Sequence, residues 1–368
     1  VSPKWRYYGV MGATGAFIAL SFYAVVAGWT VDYFYQSVAH GFSGITAGES
    51  SQALGELLGN PGRMIIGQSL FLFLTVVTVA AGVKKGLERS LRYLTPTLFV
   101  ILLALLVFAF FAGDMRAGAA FLFVPDFAKL DMETVLMAVG QAFFSLGIGL
   151  GVLLTIGAYM DHSTSIVRAS IVVAAADGLV ALIAGLAIFP IVFAHGLSPA
   201  DGPGLIFATL PVAFGQMPAG TFLAPLFFVL MAVAALTSAI TILETVVAAI
   251  EDYSRMSRRK IAAVVGALLW VVGLGTVFSF NILENYYPLG FLPAFAERTI
   301  FESLDYIVSN FMMPAGGMLI AILAGWGLGA RVTRDELAVG DSRWFRLWLL
   351  FVRFLVPAAI GMVFISII

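Results

Sequence analysis

The sequence predicts an all-α polytopic membrane protein, folded as a single transmembrane domain over residues 1–368, and two observations carry this prediction. The chain is 61% hydrophobic and only 11% charged, which leaves a soluble domain too few polar side chains to cover its surface. Apolar runs of about 20 residues recur along the chain, and a helix of that length spans the hydrocarbon core of a bilayer. No segment has the composition of a linker to a second domain.

Nine segments have the length and hydropathy of membrane spans. They lie at 7–31, 64–83, 93–113, 134–160, 169–193, 221–250, 261–280, 306–330 and 347–368. The connecting segments alternate in charge, because 15 of the 20 Lys and Arg residues fall on one predicted side, in 4–6, 84–92, 161–168, 251–260 and 331–346. Since Lys and Arg are retained on the cytoplasmic side, we expect a cytoplasmic N-terminus and, after nine spans, an external C-terminus.

Composition also excludes several kinds of partner and site. A net charge of −1 provides no basic field for a nucleic acid. The absence of cysteine excludes disulfides and thiolate metal sites. The three histidines, His40, His162 and His195, are too scattered to form a metal-ligand motif. The chain begins at Val1 and shows no signal peptide, so we expect further sequence upstream of it.

Asp177 is an ionisable residue inside a predicted span, which makes it a functional candidate. It lies roughly 12 Å from the end of that span, at 1.5 Å per residue. One interpretation is a protonated side chain that bonds to a neighbouring helix. The other is an oxygen ligand for a cation.

A stripe of small and hydroxyl-bearing residues follows one face of the predicted helix at 221–250. At positions i, i+3, i+4 and i+7, it contains Ala234, Thr237, Ser238 and Thr241. Glu244 lies on the same face, two turns beyond Thr237. Such a stripe is typical of helix packing in membranes, but packing does not account for Glu244.

The segment QAFFSLGIGLGVLL, residues 141–154, has Gly147, Gly149 and Gly151 at alternate positions inside a predicted span. Each glycine costs about 1 kcal/mol relative to alanine in a helix interior. One interpretation is that the glycines break the helix at the membrane midplane, as in secondary transporters whose broken helices bind substrate and coupling ions. The other is close helix packing through glycine.

Five segments resemble the neurotransmitter:sodium symporter family (sodium- and chloride-dependent neurotransmitter transporters), in particular its bacterial amino-acid transporters. They are FYAVVAGW (22–29), GLERSLRYLTPTLF (86–99), VGQAFFSLGIGLG (139–151), LPVAFGQMPAGTFLAPLFF (210–228) and AALTSAITILETVVAAIEDY (234–253). The resemblance covers essentially the whole chain. It implies an inverted-repeat secondary transporter fold, with nine of the usual eleven or twelve transmembrane helices present and the first two absent.

The resemblance also implies two sodium sites. Ser145 and Asp177 match ligands of the first Na⁺. The second is matched by the carbonyl of Ala234 and the hydroxyls of Thr237 and Ser238. Ligation by oxygen alone suits a hard cation.

Further positions match the family's substrate site. Tyr23, which by itself could equally be a packed aromatic or an interface anchor, matches the tyrosine that binds the substrate carboxylate, and Phe144 matches the lid. The complete set is Ala19, Tyr23, Phe144, Ser145, Gly147, Gly149, Leu150, Ser238 and Ile242. Because the side-chain pocket is apolar and contains very small residues, we predict a neutral hydrophobic amino acid as substrate, with room for an aromatic one.

Gate residues and the chloride position complete the comparison with the family. Asp305 matches the acid of the outer gate, Tyr159 and Asp252 match the inner gate, and Glu244 would flank the cytoplasmic path. Ala181 stands where chloride-dependent members have a serine. Since alanine donates no hydrogen bond, we predict chloride independence.

The sequence therefore predicts a symporter of the cell (inner) membrane, and not an enzyme, that imports a neutral amino acid with Na⁺ by alternating access. Two alternatives remain open. One is a non-transporting fragment or remnant of such a transporter. The other is a cation channel, which would need a continuous polar pore.

Overall fold

The computed structural model describes residues 5–161, 163–199, 202–217, 219–340 and 342–367. Lys4, in the first predicted basic segment, and His162, one of the three histidines, lie outside these ranges. The α-helices are α1 (Arg6–Ala39), α2 (Ala47–Leu58), α3 (Pro61–Ala80), α4 (Arg89–Ala112), α5 (Met115–Phe123), α6 (Met132–Ser145), α7 (Val152–Ala158), α8 (Ile166–Ala194), α9 (Leu210–Gln216), α10 (Gly220–Glu251), α11 (Arg258–Phe278), α12 (Ile300–Tyr306), α13 (Met313–Ile322), α14 (Ala330–Glu336), α15 (Arg343–Leu350) and α16 (Val356–Ile367). Five π-helical segments adjoin them: Val83–Glu88, Leu205–Thr209, Ile307–Met312, Leu323–Gly327 and Phe351–Leu355. The described residues contain no β-strand.

The membrane spans agree with the predicted count once one broken helix is recognised. Among the described residues, 8 continuous helical stretches are long and apolar enough to cross a membrane. The remaining predicted span, 134–160, is divided between α6 and α7, neither of which is long enough to cross alone. The first span is longer than predicted, because α1 continues beyond residue 31 to Ala39. Its last turns are held by Tyr33, whose buried ring packs against Phe207 and Phe228.

Helix α1 lies at the centre of the bundle, where it packs against α3, α10 and α11. Its contact with α3 is a direct backbone approach at Gly28 and Gly67. A Cβ atom added to Gly28 would lie 2.6 Å from the backbone nitrogen of Gln68. Small residues of this kind allow membrane helices to pack without intervening side chains. The close crossing fixes the position of Tyr23, a little over one turn earlier in α1.

The ends of the helices group at two opposite faces of the bundle. At one face, Arg258 at the start of α11 donates hydrogen bonds to the Val79 carbonyl of α3 (3.1 Å) and to Glu251 of α10 (2.9 Å). The same face includes a cavity lined by both Asp252 and Leu323, which places the end of the 300–327 span there too. We call this end, which carries the segments 84–92, 251–260 and 331–346, the basic face.

The opposite face is held by a second ion pair. Arg63, near the start of α3, donates to Asp32 of α1 at 2.6 Å and 3.1 Å. Asn281, just after α11, donates to the Leu58 carbonyl at the end of α2 at 2.8 Å. The alternation of basic segments in the sequence thus corresponds to a real grouping of helix ends. Which face is cytoplasmic remains a prediction from the positive-inside rule.

Candidate functional site

The predicted break in the helix at 134–160 is present in the structure. Helix α6 ends at Ser145, and α7 begins at Val152. Between them, Gly147, Gly149 and Gly151 have φ angles of 62°, 96° and 76°. Residues with a Cβ rarely adopt these angles, so the alternating glycines are what permit the turn.

The glycines also provide close packing, so both interpretations of the segment hold. A Cβ on Gly149 would lie 2.1 Å from the carbonyl oxygen of Met313. A Cβ on Gly316 would lie 2.1 Å from the carbonyl oxygen of Gly149. A Cβ on Gly12 of α1 would lie 3.2 Å from the backbone of Gly151. The broken segment is therefore pressed between α1 and α13 with its backbone in contact with both, as irregular backbone at membrane depth must be.

Ser145 and Asp177 meet at the edge of the break. The Ser145 hydroxyl donates a hydrogen bond of 2.5 Å to Oδ1 of Asp177. Ser145 is exposed and Asp177 is partly buried, so the pair lies at an accessible surface rather than in the core. Asp177 does bond to a neighbouring helix, as one interpretation expected. The same contact places one hydroxyl oxygen and one carboxylate together, which is a donor set that a hard cation accepts.

A second group of oxygens lies on the stripe of α10. The Thr237 hydroxyl donates to the Ala234 carbonyl at 2.8 Å, and the Ser238 hydroxyl approaches the same carbonyl at 3.4 Å. Three oxygens are thereby gathered within about one helical turn. All three match the donors predicted for the second cation, and none is a transition-metal ligand. Among the described residues, no cluster of three His, Cys, Asp or Glu could hold a metal ion.

Tyr23 lies beside this oxygen group. Its hydroxyl donates to the Ala235 carbonyl at 3.4 Å, which joins α1 to α10. A cavity of about 240 Å³ is lined by Tyr23, Ala234 and Ser238, together with residues of α1, of α10 and of the π segment at 205–209. The structure therefore brings the predicted carboxylate-binding tyrosine and the second oxygen group to one cavity.

The remaining predicted substrate positions differ in their surroundings. Ala19 and Leu150 are buried in one apolar cluster, and Ile242 packs against that cluster. A Cβ on Gly147 would meet only Val152, at 3.8 Å, so space is open beside it. Phe144 is 48% exposed and does not line the cavity at Tyr23, so the structure does not place the predicted lid over it.

Glu244 is fully buried, and its partners form a network at the basic face. Its Oε1 accepts a 2.7 Å hydrogen bond from the Tyr159 hydroxyl of the segment after α7. Its other oxygen pairs with the Arg258 guanidinium, which also binds Glu251 at 2.9 Å. The network joins the broken helix to α10 and α11, and it neutralises a carboxylate that would be too costly to bury alone.

Sequence reasoning missed Arg258. A signal was available, because Glu244 in an apolar span needs a cation, and the run SRRK at 257–260 begins the next helix. The run contains two arginines and a lysine, however, and only the packing of α11 against α10 selects Arg258. The other predicted gate residues lie apart from this network. Asp252 lines the cavity at the basic face, and Asp305 accepts a 3.0 Å hydrogen bond from Ser309 in the following turn.

Comparison with known proteins agrees with this geometry. The family model described as "Sodium:neurotransmitter symporter family" matches residues 50–288. A sodium-dependent transporter of Bacillus subtilis strain 168, YhdH, is 34% identical over 367 residues, which cover 99% of this chain and 80% of the relative. The chain belongs to the sodium:neurotransmitter symporter family. It is accordingly a sodium-coupled transporter of the membrane, and not an enzyme.

Two further similarities extend the result. A sodium-dependent transporter of Haemophilus influenzae is 29% identical over 371 residues, covering 100% of this chain and 80% of the relative. The crystal structure of MhsT in complex with L-phenylalanine matches with a TM-score of 0.89 and 38% identity, covering 100% of this chain and 82% of that one. This match confirms the inverted-repeat transporter fold predicted for this symporter.

Proposed function

We propose that this symporter imports a neutral hydrophobic amino acid together with Na⁺ by alternating access. The observation that carries the proposal is the hydrogen bond between Ser145 and Asp177 at the break between α6 and α7. This bond brings a carboxylate and a hydroxyl together at the end of an interrupted helix, and interrupted helices bind coupling ions in secondary transporters. Na⁺ is the co-transported ion in this proposal.

Two sodium sites are proposed from the oxygen groups. Ser145 and Asp177 hold the first Na⁺, next to the substrate, with the carboxylate supplying the negative charge. The Ala234 carbonyl and the hydroxyls of Thr237 and Ser238 hold the second. Since both hydroxyls are directed at the Ala234 carbonyl, a small rotation turns their lone pairs toward a shared cation.

The substrate class is proposed from the lining of the site. Ala19, Leu150 and Ile242 are apolar, and Gly147 has open space beside it. Among the described residues, no charged side chain lines the cavity at Tyr23, so a cationic or anionic substrate side chain would have no partner there. The L-phenylalanine bound to MhsT is a ligand of the same class. In this arrangement Tyr23 donates its hydroxyl to the carboxylate of the substrate.

The transport cycle follows from the placement of these groups. Binding of Na⁺ stabilises the outward-open state and orders the broken segment. Phe144, exposed in this structure, then moves over the substrate to close the outer gate beside Asp305. Release of the second Na⁺ near Thr237 opens the path at the basic face, where Tyr159, Glu244 and Asp252 lie. Each ion drives this cycle only through its different affinity for the two states.

Chloride is not required in this proposal. Ala181 lies one turn after Asp177 on α8 and offers no hydrogen-bond donor to an anion. Asp177 already provides a negative charge near the cation, where a low dielectric makes such compensation strong. We place the transporter in the cell (inner) membrane with its basic face cytoplasmic.

A competition series tests the proposal. Uptake of labelled L-phenylalanine into proteoliposomes with a Na⁺ gradient is measured in the presence of excess Leu, Trp, Lys or Glu. Leu and Trp should compete, and Lys and Glu should not, because only the first two lack a charged side chain. Strong competition by Lys or Glu would disprove the substrate class, and uptake that is equal with K⁺ in place of Na⁺ would disprove the coupling.

A further inference from the structure

Arg353 is a cation inside a membrane span. Of the 20 Lys and Arg residues, it alone falls within a predicted span. In the structure it belongs to the π-helical segment Phe351–Leu355, in the candidate membrane helix Arg343–Met362. Its backbone lies against Gly325, two residues before the end of the 300–327 span at the basic face, so Arg353 lies near that side of the membrane. A cation within a membrane helix is a functional candidate.

The side chain of Arg353 is anchored on the neighbouring span. Its Nε donates a 2.6 Å hydrogen bond to the carbonyl of Gly325. Gly325 belongs to a second π-helical segment, Leu323–Gly327, in which the backbone hydrogen bonds join residues five apart. A Cβ on Gly325 would lie 2.9 Å from Cγ of Arg353, so the absent side chain makes room for the arginine stem.

The rest of the guanidinium has no partner among the described residues. A guanidinium has five N–H groups, and the bond to Gly325 uses one. Among the residues that the structure describes, no carboxylate forms an ion pair with Arg353, and its two terminal nitrogens make no hydrogen bond. Arg353 is only partly buried, so these unused donors can reach a ligand outside the chain, and an anion suits them best.

The surroundings of Arg353 match the shape of a phospholipid. Phe351, Phe354 and Leu355 are each more than half exposed, and Trp326 packs edge-on against Phe354 at 5.8 Å. These side chains offer an apolar surface for acyl chains beside the arginine.

Toward the basic face, α15 has the sequence RWFRLWLL. Arg346 is exposed two turns before Arg353, and Trp344 and Trp348 are exposed aromatic residues of the kind found at membrane interfaces. A headgroup at this level would therefore meet a second positive charge.

We propose that Arg353 binds the phosphodiester group of an anionic phospholipid, in the half of the bilayer at the basic face. The terminal nitrogens of Arg353 donate to the phosphate oxygens, and Arg346 adds a second positive charge. The acyl chains lie along Phe351 and Phe354. An anionic lipid is favoured over a zwitterionic one, because a zwitterionic headgroup brings a cation of its own close to Arg346. This site is separate from the proposed substrate and sodium sites.

The test is a lipid titration of the detergent-purified protein, followed by its thermal unfolding temperature. Dioleoyl phosphatidylglycerol should raise that temperature in a saturable way, whereas dioleoyl phosphatidylcholine and inorganic phosphate should not. Arg353→Gln should increase the half-saturating concentration of phosphatidylglycerol roughly five- to tenfold. Arg259→Gln removes an equally charged, exposed residue of the basic face and should leave the titration unchanged.

The variants and the control lipids also define the results that would overturn the proposal. An unchanged titration in Arg353→Gln, or an equal loss in Arg259→Gln, would overturn the proposal, as would equal responses to phosphatidylcholine or to inorganic phosphate. If Arg353→Gln does not fold, photo-crosslinking of the unmodified protein decides the question. A phosphatidylglycerol with a diazirine in its acyl chain should label residues within 323–327 and 351–355, and labelling confined to other helices would overturn the proposal.

Discussion

The Ser145 hydroxyl donates a 2.5 Å hydrogen bond to Oδ1 of Asp177, and this contact joins the end of α6 to the middle of α8. It lies where the alternating glycines turn the backbone away from the helical path. A carboxylate, a hydroxyl and the ends of a broken helix are thereby grouped in one place. The proposed coupling of Na⁺ to substrate rests on this grouping.

Gly149→Ala should destabilise the protein. Its φ of 96° and the 2.1 Å approach of the Met313 carbonyl both exclude a side chain. The backbone strain alone costs roughly 1–3 kcal/mol. Gly140→Ala on α6 is the matched control, since a Cβ there meets nothing within 4 Å. Thermal unfolding in detergent should show a lower midpoint for the first variant only, and equal midpoints would contradict the packing described for the break.

Arg258→Met should be strongly destabilising, because it leaves the fully buried Glu244 carboxylate without its cation. Removing one partner of a buried pair costs about 3–5 kcal/mol. The double variant Arg258→Met with Glu244→Gln should recover part of that loss, since the uncompensated charge is gone. Chemical unfolding of the two single variants and the double variant measures the coupling. Strictly additive effects would show that the pair does not act as a unit.

Tyr23→Phe should weaken substrate binding without unfolding the protein. The Tyr23 hydroxyl makes a long, 3.4 Å contact with the Ala235 carbonyl, so its loss costs the fold little. A lost hydrogen bond to a charged carboxylate corresponds to roughly a 10- to 100-fold increase in the dissociation constant. Equilibrium binding of labelled L-phenylalanine measures it. Tyr35→Phe, an exposed tyrosine near the end of α1, is the control and should bind normally.

Uptake should be independent of chloride. Replacing external chloride by gluconate, at constant Na⁺, should leave the initial rate of amino-acid uptake unchanged, because Ala181 provides no donor for an anion and Asp177 supplies the negative charge. A rate that falls in gluconate and recovers with added chloride would refute this assignment.

The break and its polar partners were predictable because they violate the rules of a membrane helix. Three alternating glycines, one aspartate and one glutamate are each unfavourable in an ordinary span, so their presence in the sequence marks the site. The apolar spans were predictable for the opposite reason, since length and hydropathy determine them locally. Only the division of the span at 134–160 had to be predicted from its glycines.

The residues that pair with the polar residues of the spans were harder to predict from the sequence. Arg258 is selected from its neighbours by the packing of α11 against α10, which no local pattern encodes. The π-helical segments that bring Arg353 to Gly325 have no clear sequence signal, because they depend on contact between two spans. Phe144 illustrates a further limit, since its ring is half exposed and lies outside the cavity at Tyr23, so its predicted role as a lid stays a prediction.

The central claim is tested most directly by a sodium titration of L-phenylalanine binding, with the unmodified protein compared with Asp177→Ala. The unmodified protein should bind L-phenylalanine in Na⁺ and not in K⁺, with affinity rising as Na⁺ increases. Asp177→Ala should lose the sodium-dependent binding while its thermal unfolding in detergent shows that it still folds. Sodium dependence that is the same in Asp177→Ala and in the unmodified protein would contradict the placement of the first sodium at Ser145 and Asp177.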